Sequence, residues 1–395
     1  MQSVAAPFLV LRLTHSGVAL GIDTALTFLP ILLVGAWGGL IADRFDNRRV
    51  QLLTQVLYAA SALTLWALVV TGAVHVWMVY AISFFTGCVT AVDMPTRQSF
   101  YLEMVGPDDL TNAMSLNTAS FNAARILGPT AAAAIIAVAG IAPAFLINAI
   151  SYIVMIVALL LIRPSELRPR RKVERQPGQI KEGVRYAWRT SSLRLPLLVM
   201  GTVFLFAFNY SVLLPLLATR TFHGDSGTYG LMLTLNGIGS LAGALFMASR
   251  TRRANVRLLS VLGVAVGALT VAAGVGPWLW IEWAIMPFLG GAFISFAITA
   301  NSTLQLNAND QMRGRVMALY TVVFLGSTPL GGVVAGWVGQ HLGSRVGLVG
   351  GGLVAVAAGL AGLAALGAVR PRTRRSESPE RPIAAPPDVG TMAKP

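Results

Sequence analysis

The stretch Gly39-Leu40-Ile41-Ala42-Asp43-Arg44-Phe45-Asp46-Asn47-Arg48-Arg49 separates two long apolar runs and decides the fold. Asp43 stands at the end of an apolar helix, where the negative end of the helix dipole disfavours an acid. We therefore expect Asp43 to interact with an Arg or with the N-terminus of another helix. The stretch begins with a glycine at the end of the apolar run and continues with an acid and a cluster of arginines. This pattern predicts a loop at the membrane surface that takes part in a conformational change.

The composition places most of the chain in lipid. Hydrophobic residues make up 55% of the 395 residues, charged residues make up 12%, and the mean hydropathy is +0.68. Soluble domains are roughly a quarter charged. Cys88 is the single cysteine, which excludes an intramolecular disulfide. The four histidines do not cluster in the sequence, so no metal site is expected.

Twelve apolar runs follow one another along the chain. Most exceed the roughly 20 residues that a helix needs to cross about 30 Å of hydrocarbon. Their bounds are 4–13, 17–42, 50–72, 76–105, 112–139, 142–162, 195–219, 228–248, 256–275, 278–306, 314–340 and 346–369. The predicted fold class is an all-α integral membrane protein with twelve spans.

Positive charge alternates with the order of these runs. One set of loops, together with the C-terminal tail, carries 25 of the 30 Lys and Arg residues, whereas the other set carries Arg12, Arg220 and Arg345. By the positive-inside rule the rich set is cytoplasmic. A nucleic-acid-binding protein would not distribute its charge in this way, so the net charge of +14 reflects membrane topology and no nucleic acid is expected as a partner.

The chain divides into two halves of six runs each. We expect a first half over 1–163, a basic cytoplasmic linker over 164–194, a second half over 195–369 and a disordered cytoplasmic tail over 370–395. Residues 180–189 place apolar and cationic side chains on opposite faces of a helix that would lie on the inner leaflet. The alternative is an unstructured basic linker.

The two halves also echo each other. Residues 107–112 precede the fifth run, and the similar residues 309–314 precede the eleventh. The stretch 243–253 resembles the stretch 39–49 but has no acid at the position that corresponds to Asp43. Two six-span repeats in the same orientation are typical of a transporter whose site lies between its halves.

Four stretches resemble those of a known family: Gly39 to Arg49; Asp93-Met94-Pro95-Thr96-Arg97; Asn122-Ala123-Ala124-Arg125-Ile126-Leu127-Gly128-Pro129; and Met312-Arg313-Gly314-Arg315-Val316. From residue 1 to about 370 the chain is similar to the major facilitator superfamily, in the bacterial exporter branch that includes enterobactin exporters and macrolide efflux pumps. The resemblance implies a twelve-span, six-plus-six fold.

The same resemblance implies the function. We expect proton-coupled efflux of a small amphipathic molecule, drug-like or siderophore-like, by a monomer in the bacterial plasma membrane. The proton gradient supplies the energy and no cofactor is expected. Gly128 and Pro129 resemble an antiporter motif of the fifth span, although Ala131, Ala132 and Ala133 stand where that motif prefers glycines.

The resemblance also implies a conformational latch at the cytoplasmic side. In the family the equivalent of Asp43 engages the start of the eleventh span and neighbouring cations, which stabilises the outward-open state. The residues that match this latch here are Gly39, Asp43, Arg44, Arg48, Arg49, Arg313 and Arg315.

Charged residues inside the runs are further candidates, because ionisable groups in a span are costly. Counted from the loop between the fourth and fifth runs, the depths of Asp93 and Arg125 differ by only about 4–5 Å. The two could therefore pair, and Arg97, one turn from Asp93, could share it. Such a cluster is either structural or a proton- or substrate-linked switch.

Two further acids stand near the predicted outer side. Asp23 lies either on a proton path or at the outer interface, and Glu282, among Trp278, Trp280 and Trp283, is expected to be interfacial. Other polar residues could line a central cavity, although each could equally join two helices. They are Asn117, Asn122, Asn148, Asn209, Tyr210, Asn236, Asn301 and Gln305.

Other functions are less consistent with the sequence. It lacks the His-Glu-x-x-His, Gly-x-Ser-x-Gly and Walker-type motifs, so neither an enzyme nor an ATP-driven pump is expected. A non-transporting receptor or assembly factor on the same fold, or an importer, remains an alternative.

The first run is shorter than the roughly 17–25 residues of a spanning helix. We therefore expect about twenty further residues in the intact protein, lost through a misassigned start site or a truncation.

Overall fold

The computed structural model describes residues 2–167, 179–249, 254–309 and 312–368. Several predicted features lie outside these residues: much of the basic linker, the cations Arg250, Arg252 and Arg253, and the tail over 370–395. The side chains of Asp43, Asn122 and Arg125 also lie outside the described part.

The described chain is built from α-helices. Their bounds are α1 Gln2–Thr14, α2 Gly17–Arg44, α3 Asn47–Val70, α4 Val76–Ala139, α5 Ile141–Leu161, α6 Gln179–Arg189, α7 Ser191–Ala207, α8 Tyr210–Leu216, α9 Ser226–Ser249, α10 Val256–Val275, α11 Leu279–Asn307, α12 Arg313–His341 and α13 Ser344–Ala368. A short 3-10 turn, Pro164–Glu166, follows α5, and a π-helical turn, Leu217–Thr221, follows α8.

The membrane architecture agrees with the predicted runs. Among the described residues, ten helices are long and apolar enough to cross a membrane. Two shorter apolar helices, Val4–Thr14 and Ile126–Ala139, stand where the first and fifth spans are predicted. The all-α membrane fold is confirmed, and twelve crossings stay a prediction.

Two predicted boundaries differ from the structure. The fourth and fifth runs are joined in α4, which is broken only at Gly106, where φ is +76°. Glycine adopts such a conformation because it has no Cβ. The seventh run begins at Ser191 rather than at 195, and it is interrupted at Phe208 and Asn209 between α7 and α8.

The linker helix is present as α6, so the unstructured alternative is wrong for 179–189. Ala187 is buried in the core of the second half. The backbone N–H of Asn309 donates to the hydroxyl of Tyr186 at 3.3 Å. The helix is therefore fixed to the second half next to the start of α12.

Helices within each half approach closely at glycines. A Cβ placed on Gly239 of α9 would lie 1.7 Å from the carbonyl oxygen of Pro287 of α11. Phe204 of α7 packs in the core of the second half with ring centroids 5.5 Å from Phe293 and 4.7 Å from Phe324. These contacts hold the second half together around α7, α11 and α12.

We name the two ends of the bundle by their residues. The outer end carries Gly17, Arg220 and Gln340, and the inner end carries Arg44, Arg189 and Arg313. Helices α2, α9, α11 and α13 begin at the outer end, whereas α3, α10 and α12 begin at the inner end.

Candidate functional site

Asp93, on α4, is the most completely bonded acid in the first half. Its residue is 2% exposed. Three neutral donors on α3 reach the same carboxylate oxygen, Oδ1: the hydroxyl of Thr54 at 2.9 Å, Nε2 of Gln51 at 3.1 Å and Nε2 of Gln55 at 3.3 Å. Hydrogen bonds from neutral donors stabilise a buried carboxylate without adding a second charge.

The other oxygen of Asp93 binds a cation. Nη2 of Arg97 lies 2.9 Å from Oδ2, and the Arg97 side chain is 45% exposed. Arg97 and Asp93 form this ion pair because residues four apart lie on one helix face; the sharing of Asp93 with Arg125 stays a prediction. Pro95 between them does not interrupt α4. The carboxylate thus has one oxygen fixed by a buried polar face and one bound to a partly solvated guanidinium.

Sequence reasoning missed the α3 donors. Gln51, Thr54 and Gln55 stand three and four residues apart, so they share one helix face. That spacing is the signal that could have found them, although nothing in a single sequence indicates that this face meets Asp93. An aromatic pair lies beside the cluster: the Tyr58 and Tyr152 rings stack at 5.2 Å, and the Tyr58 hydroxyl lies 2.8 Å from Oγ1 of Thr90.

The predicted pair of Asp93 with Arg125 falls outside the described side chains. Both alternatives for the charge cluster, a structural brace or a switch, therefore stay open. What the described residues show is that Asp93 already has a cationic partner in Arg97.

Asp23 is buried between α2 and α4, with 5% of the residue exposed. The hydroxyl of Ser83 donates to its Oδ1 at 2.6 Å. The alternative that Asp23 reaches the outer interface is therefore wrong, because its carboxylate faces a neighbouring helix. Ser83, which holds it, was not a candidate from the sequence.

The two halves are hydrogen-bonded at the outer end. The backbone N–H of Gly17 donates to Oε1 of Gln340 at 2.7 Å, and Nη2 of Arg220 donates to the same oxygen at 2.9 Å and also to the carbonyl of His15. We call His15, Gly17, Arg220 and Gln340 the outer clasp. It joins the start of α2 in the first half to the end of α12 in the second.

A second contact between the halves joins α4 to α9. Thr130 of α4 and Thr234 of α9 are joined through their hydroxyls at 2.7 Å. A Cβ on Gly230 would lie 3.2 Å from the carbonyl oxygen of Pro129 and closer still to Ala133. Pro129 is therefore a packing residue between the halves, and the neighbouring Gly128 is partly buried in the same turn.

Several residues of the inner-end stretch have structural partners. Oδ1 of Asp46 accepts the N–H of Arg49 and caps the start of α3. Nε and Nη2 of Arg48 donate to the carbonyls of Leu159 and Leu160, at 2.9 and 3.1 Å, at the end of α5. A cation there offsets the negative end of the helix dipole. Arg48 thus caps α5 in this structure, and its role in the latch stays a prediction.

The remaining latch residues are only partly described. Arg44 and Arg49 are exposed at the inner end. Arg313 is exposed, and Nη1 of Arg315 lies 3.2 Å from the sulfur of Met312. Because the Asp43 side chain and residues 310 and 311 lie outside the described part, the latch stays a prediction.

The cavity candidates whose side chains are described make several separate contacts. In the first half, Asn117 accepts a hydrogen bond from the Tyr101 hydroxyl at 2.8 Å, and Nδ2 of Asn148 donates to Gln2 at 3.2 Å. The second bond joins α5 to α1 inside the half. Asn122 lies outside the described side chains.

The candidates of the second half also differ among themselves. Asn209, Tyr210 and Asn236 are buried, and Asn209 also lines a pocket of the second half. Nε2 of Gln305 donates to Oδ1 of Asn301, one turn away, at 2.8 Å. Gln305 is exposed and Asn301 half-buried, so this pair is the part of the set open to a ligand.

One apolar pocket of about 320 Å³ lies within the second half, between α7, α8, α12 and α13. Asn209 is the polar side chain in its lining, and no charged residue contributes to it. Among the described residues, no group of three or more His, Cys, Asp or Glu side chains lies close enough to hold a metal ion.

Comparison with known proteins agrees with this architecture. A family model described as a transmembrane secretion effector matches residues 1–388. The staphyloferrin A transporter of Staphylococcus aureus is 29% identical over 346 residues, which cover 82% of this chain and 82% of that protein. The multidrug efflux pump Tap of Mycolicibacterium fortuitum is 28% identical over 345 residues, which cover 84% of this chain and 83% of that protein.

Solved structures share the fold. The nucleoside transporter NupG superposes with a TM-score of 0.70 at 13% identity, covering 93% of this chain and 94% of that one. An inward-facing bacterial homologue of the lysosomal transporter Spinster superposes with a TM-score of 0.70 at 14% identity, covering 92% and 91%. The chain therefore belongs to the transmembrane secretion effector family of the major facilitator superfamily, whose members are multi-pass membrane transporters and not enzymes.

Proposed function

We propose that the protein exports a small amphipathic molecule in exchange for protons by alternating access. The observation that carries this proposal is the bonding of Asp93, whose Oδ1 is fixed by α3 while Oδ2 binds Arg97. A buried acid in a span is costly and is a functional candidate by default.

A proton on Oδ2 of Asp93 would remove the negative charge that holds Arg97. No bond between heavy atoms changes: the proton leaves water, binds the carboxylate oxygen and makes the acid neutral. The three α3 donors can keep Oδ1 in place. Arg97, which is partly exposed, is then free to change position, and this difference in bonding can bias two conformations of the halves.

The conformational part of the proposal rests on the contacts between the halves. The outer clasp and the Thr130–Thr234 contact join the halves at the outer end. The latch of Asp43 with the start of α12 would join them at the inner end in the alternate state. Transport then consists of exchanging one set of contacts for the other.

The substrate class, the orientation and the oligomeric state complete the proposal. Relatives named as a staphyloferrin A transporter and a multidrug efflux pump support an amphipathic substrate and an export direction. The excess of Lys and Arg in alternate loops supports a cytoplasmic linker and C-terminus in the bacterial plasma membrane. The proposed unit is a monomer.

The test is transport by the purified protein in lipid vesicles. Ethidium, a macrolide and staphyloferrin A serve as probes, each measured with and without an imposed proton gradient. Gradient-dependent movement of at least one probe, abolished by Asp93→Asn with normal insertion, is the expected result. Glu166→Gln, which alters an exposed acid outside the spans, serves as the matched control and should retain transport.

Each contrary result has a defined meaning. Movement that is independent of the gradient contradicts proton coupling. Gradient-driven accumulation on the cytoplasmic side would instead make the protein an importer. Loss of transport in the control variant would show that the effect of Asp93→Asn is not specific.

A further inference from the structure

Glu282, in the first turn of α11, is a completely buried acid to which no donor among the described residues is bonded. The sequence predicts an interfacial position for it, and the neighbouring Trp278 and Trp280 are indeed exposed. Glu282 itself is 0% exposed, which makes that prediction wrong. Within the described part of the chain, neither of its carboxyl oxygens has a hydrogen-bond partner. Such a group requires an explanation, because buried polar atoms are rarely unsatisfied.

Glu282 and Arg345 both lie next to Gly276. A Cβ on Gly276, which ends α10, would be 2.7 Å from Oε1 of Glu282. Nη2 of Arg345, in the first turn of α13, donates to the carbonyl oxygen of Gly276 at 2.9 Å. Arg345 is the charged group that acts electrostatically on Glu282. Among the described residues, however, the two form no ion pair within 4.0 Å.

The placement of both residues favours a charge pair that can open and close. Arg345 stands at the positive end of α13, where a cation is disfavoured, whereas Glu282 stands at the positive end of α11, where an anion is favoured. Nε of Arg345 is buried without a partner in the described structure. The cation therefore lacks the acid that would best compensate it, although that acid lies beside the same glycine.

We propose that Glu282 is a proton-binding site of the second half, with Arg345 as the counter-ion that pairs with it when the proton leaves. In the observed arrangement the proton occupies a carboxyl oxygen of Glu282, and Arg345 binds the Gly276 carbonyl. When the proton passes to water at the outer end, Glu282 becomes an anion and Arg345 moves from that carbonyl to the carboxylate. Only O–H bonding and hydrogen bonding change, so charge and atoms balance.

The other ionisable groups near this site have different surroundings. Of the elements that contact α11, α9 brings the buried Tyr229 and is preceded by the exposed Asp225, whose Oδ1 accepts the N–H of Thr228. α12 ends at the exposed His341. The outer half of α10 and the described outer part of α7 carry no ionisable side chain. The nearby loop adds His223, which is exposed, and Arg220, which belongs to the outer clasp.

This site is independent of Asp93, which lies in the other half. Infrared spectroscopy of the whole protein in lipid vesicles can test it, because a neutral carboxyl group absorbs apart from its anion. Titration of the wild type should show a neutral-carboxyl signal that is lost as the pH rises. Glu282→Gln should lack this signal, whereas Glu166→Gln, at an exposed acid, should retain it.

Arg345→Gln supplies a second readout that does not require the Glu282 variant to fold. Without the cation, the anion of Glu282 loses its compensating charge, so the midpoint of the titration should move to higher pH. The proposal is overturned if no pH-dependent signal depends on Glu282, or if Arg345→Gln leaves the midpoint unchanged. Failure of proton-coupled transport with this titration intact would refute the proposed function and leave the site standing.

Discussion

Oε1 of Gln340, near the end of α12, accepts a hydrogen bond from the backbone N–H of Gly17, the first residue of α2, at 2.7 Å. The two residues are 323 positions apart and belong to different halves. The N–H of a helix's first residue has no partner within the helix, so Gln340 satisfies a donor that would otherwise need water. The outer clasp is thus a helix cap supplied by the opposite half.

Removal of this cap should open the outer end. In Gln340→Ala, Gly17 and Arg220 lose their shared acceptor. Two lost hydrogen bonds, each with a net value of about 1 kcal/mol, correspond to an increase of roughly thirtyfold in the open population. The measurement is labelling of a Thr24→Cys reporter, in a Cys88→Ser background, by a membrane-impermeant thiol reagent. Thr24 is buried on α2 against Gly332 of α12.

Gln305→Ala, at an exposed amide of α11, provides the control and should leave the labelling rate unchanged. If the Thr24→Cys reporter were labelled at the same rate with Gln340→Ala as with the native Gln340, the outer clasp would not hold the halves together.

Arg97→Gln should uncouple transport from the proton gradient. The variant leaves Oδ2 of the buried Asp93 without its cationic partner, while the three α3 donors still bind Oδ1. We expect gradient-driven movement of the probes to fall about tenfold or more, because the proposed switch depends on the ion pair between Arg97 and Asp93. Initial transport rates in vesicles, with protein insertion measured in parallel, are the readout.

Arg163→Gln is the matched control for Arg97→Gln, because Arg163 forms an exposed ion pair outside the spans. Coupled transport that persists at the wild-type rate in Arg97→Gln would assign the Asp93–Arg97 pair a structural role only.

Gly239→Ala should destabilise the second half. The added Cβ would lie 1.7 Å from the Pro287 carbonyl, so α9 and α11 must separate. Overpacking of this kind costs about 1–3 kcal/mol. The midpoint of thermal unfolding in detergent should fall. Gly35→Ala should not lower it, because a Cβ there meets no atom within 4 Å.

If Gly239→Ala and the wild type had the same midpoint of thermal unfolding, the packing of α9 against α11 would be looser than observed.

Asp225 should stabilise the start of α9 in a pH-dependent manner. Its carboxylate accepts the backbone N–H of Thr228, which lowers the pKa of Asp225 from its ordinary value of 3.8. A lowered folded-state pKa gives stability that is fully present above the unfolded value and is lost as the pH falls through the folded value. Asp225→Ala should therefore increase hydrogen exchange of the first turn of α9 a few-fold at neutral pH.

The difference between Asp225→Ala and the wild type should disappear once the pH falls below the lowered pKa. A difference that persists in acid would show that the side chain acts by packing rather than as a charged cap.

Much of the membrane architecture could be predicted from local features. The apolar runs predicted the helices closely, and the i, i+4 spacing predicted the ion pair of Arg97 with Asp93. The contacts of Arg48 with Leu159 and Leu160 could not be predicted, because these acceptors are more than a hundred residues away.

The sequence by itself determined the solvent, the order of the helices and the contacts within one turn, because hydropathy and helix periodicity act over short stretches of chain. Only the tertiary structure decided that Gln51, Thr54 and Gln55 face Asp93, that Gln340 caps α2 and that Glu282 is buried. A span that is apolar on every side carries no pattern that fixes its rotation. Close packing of neighbouring helices fixes that rotation, and with it the partner of each polar side chain.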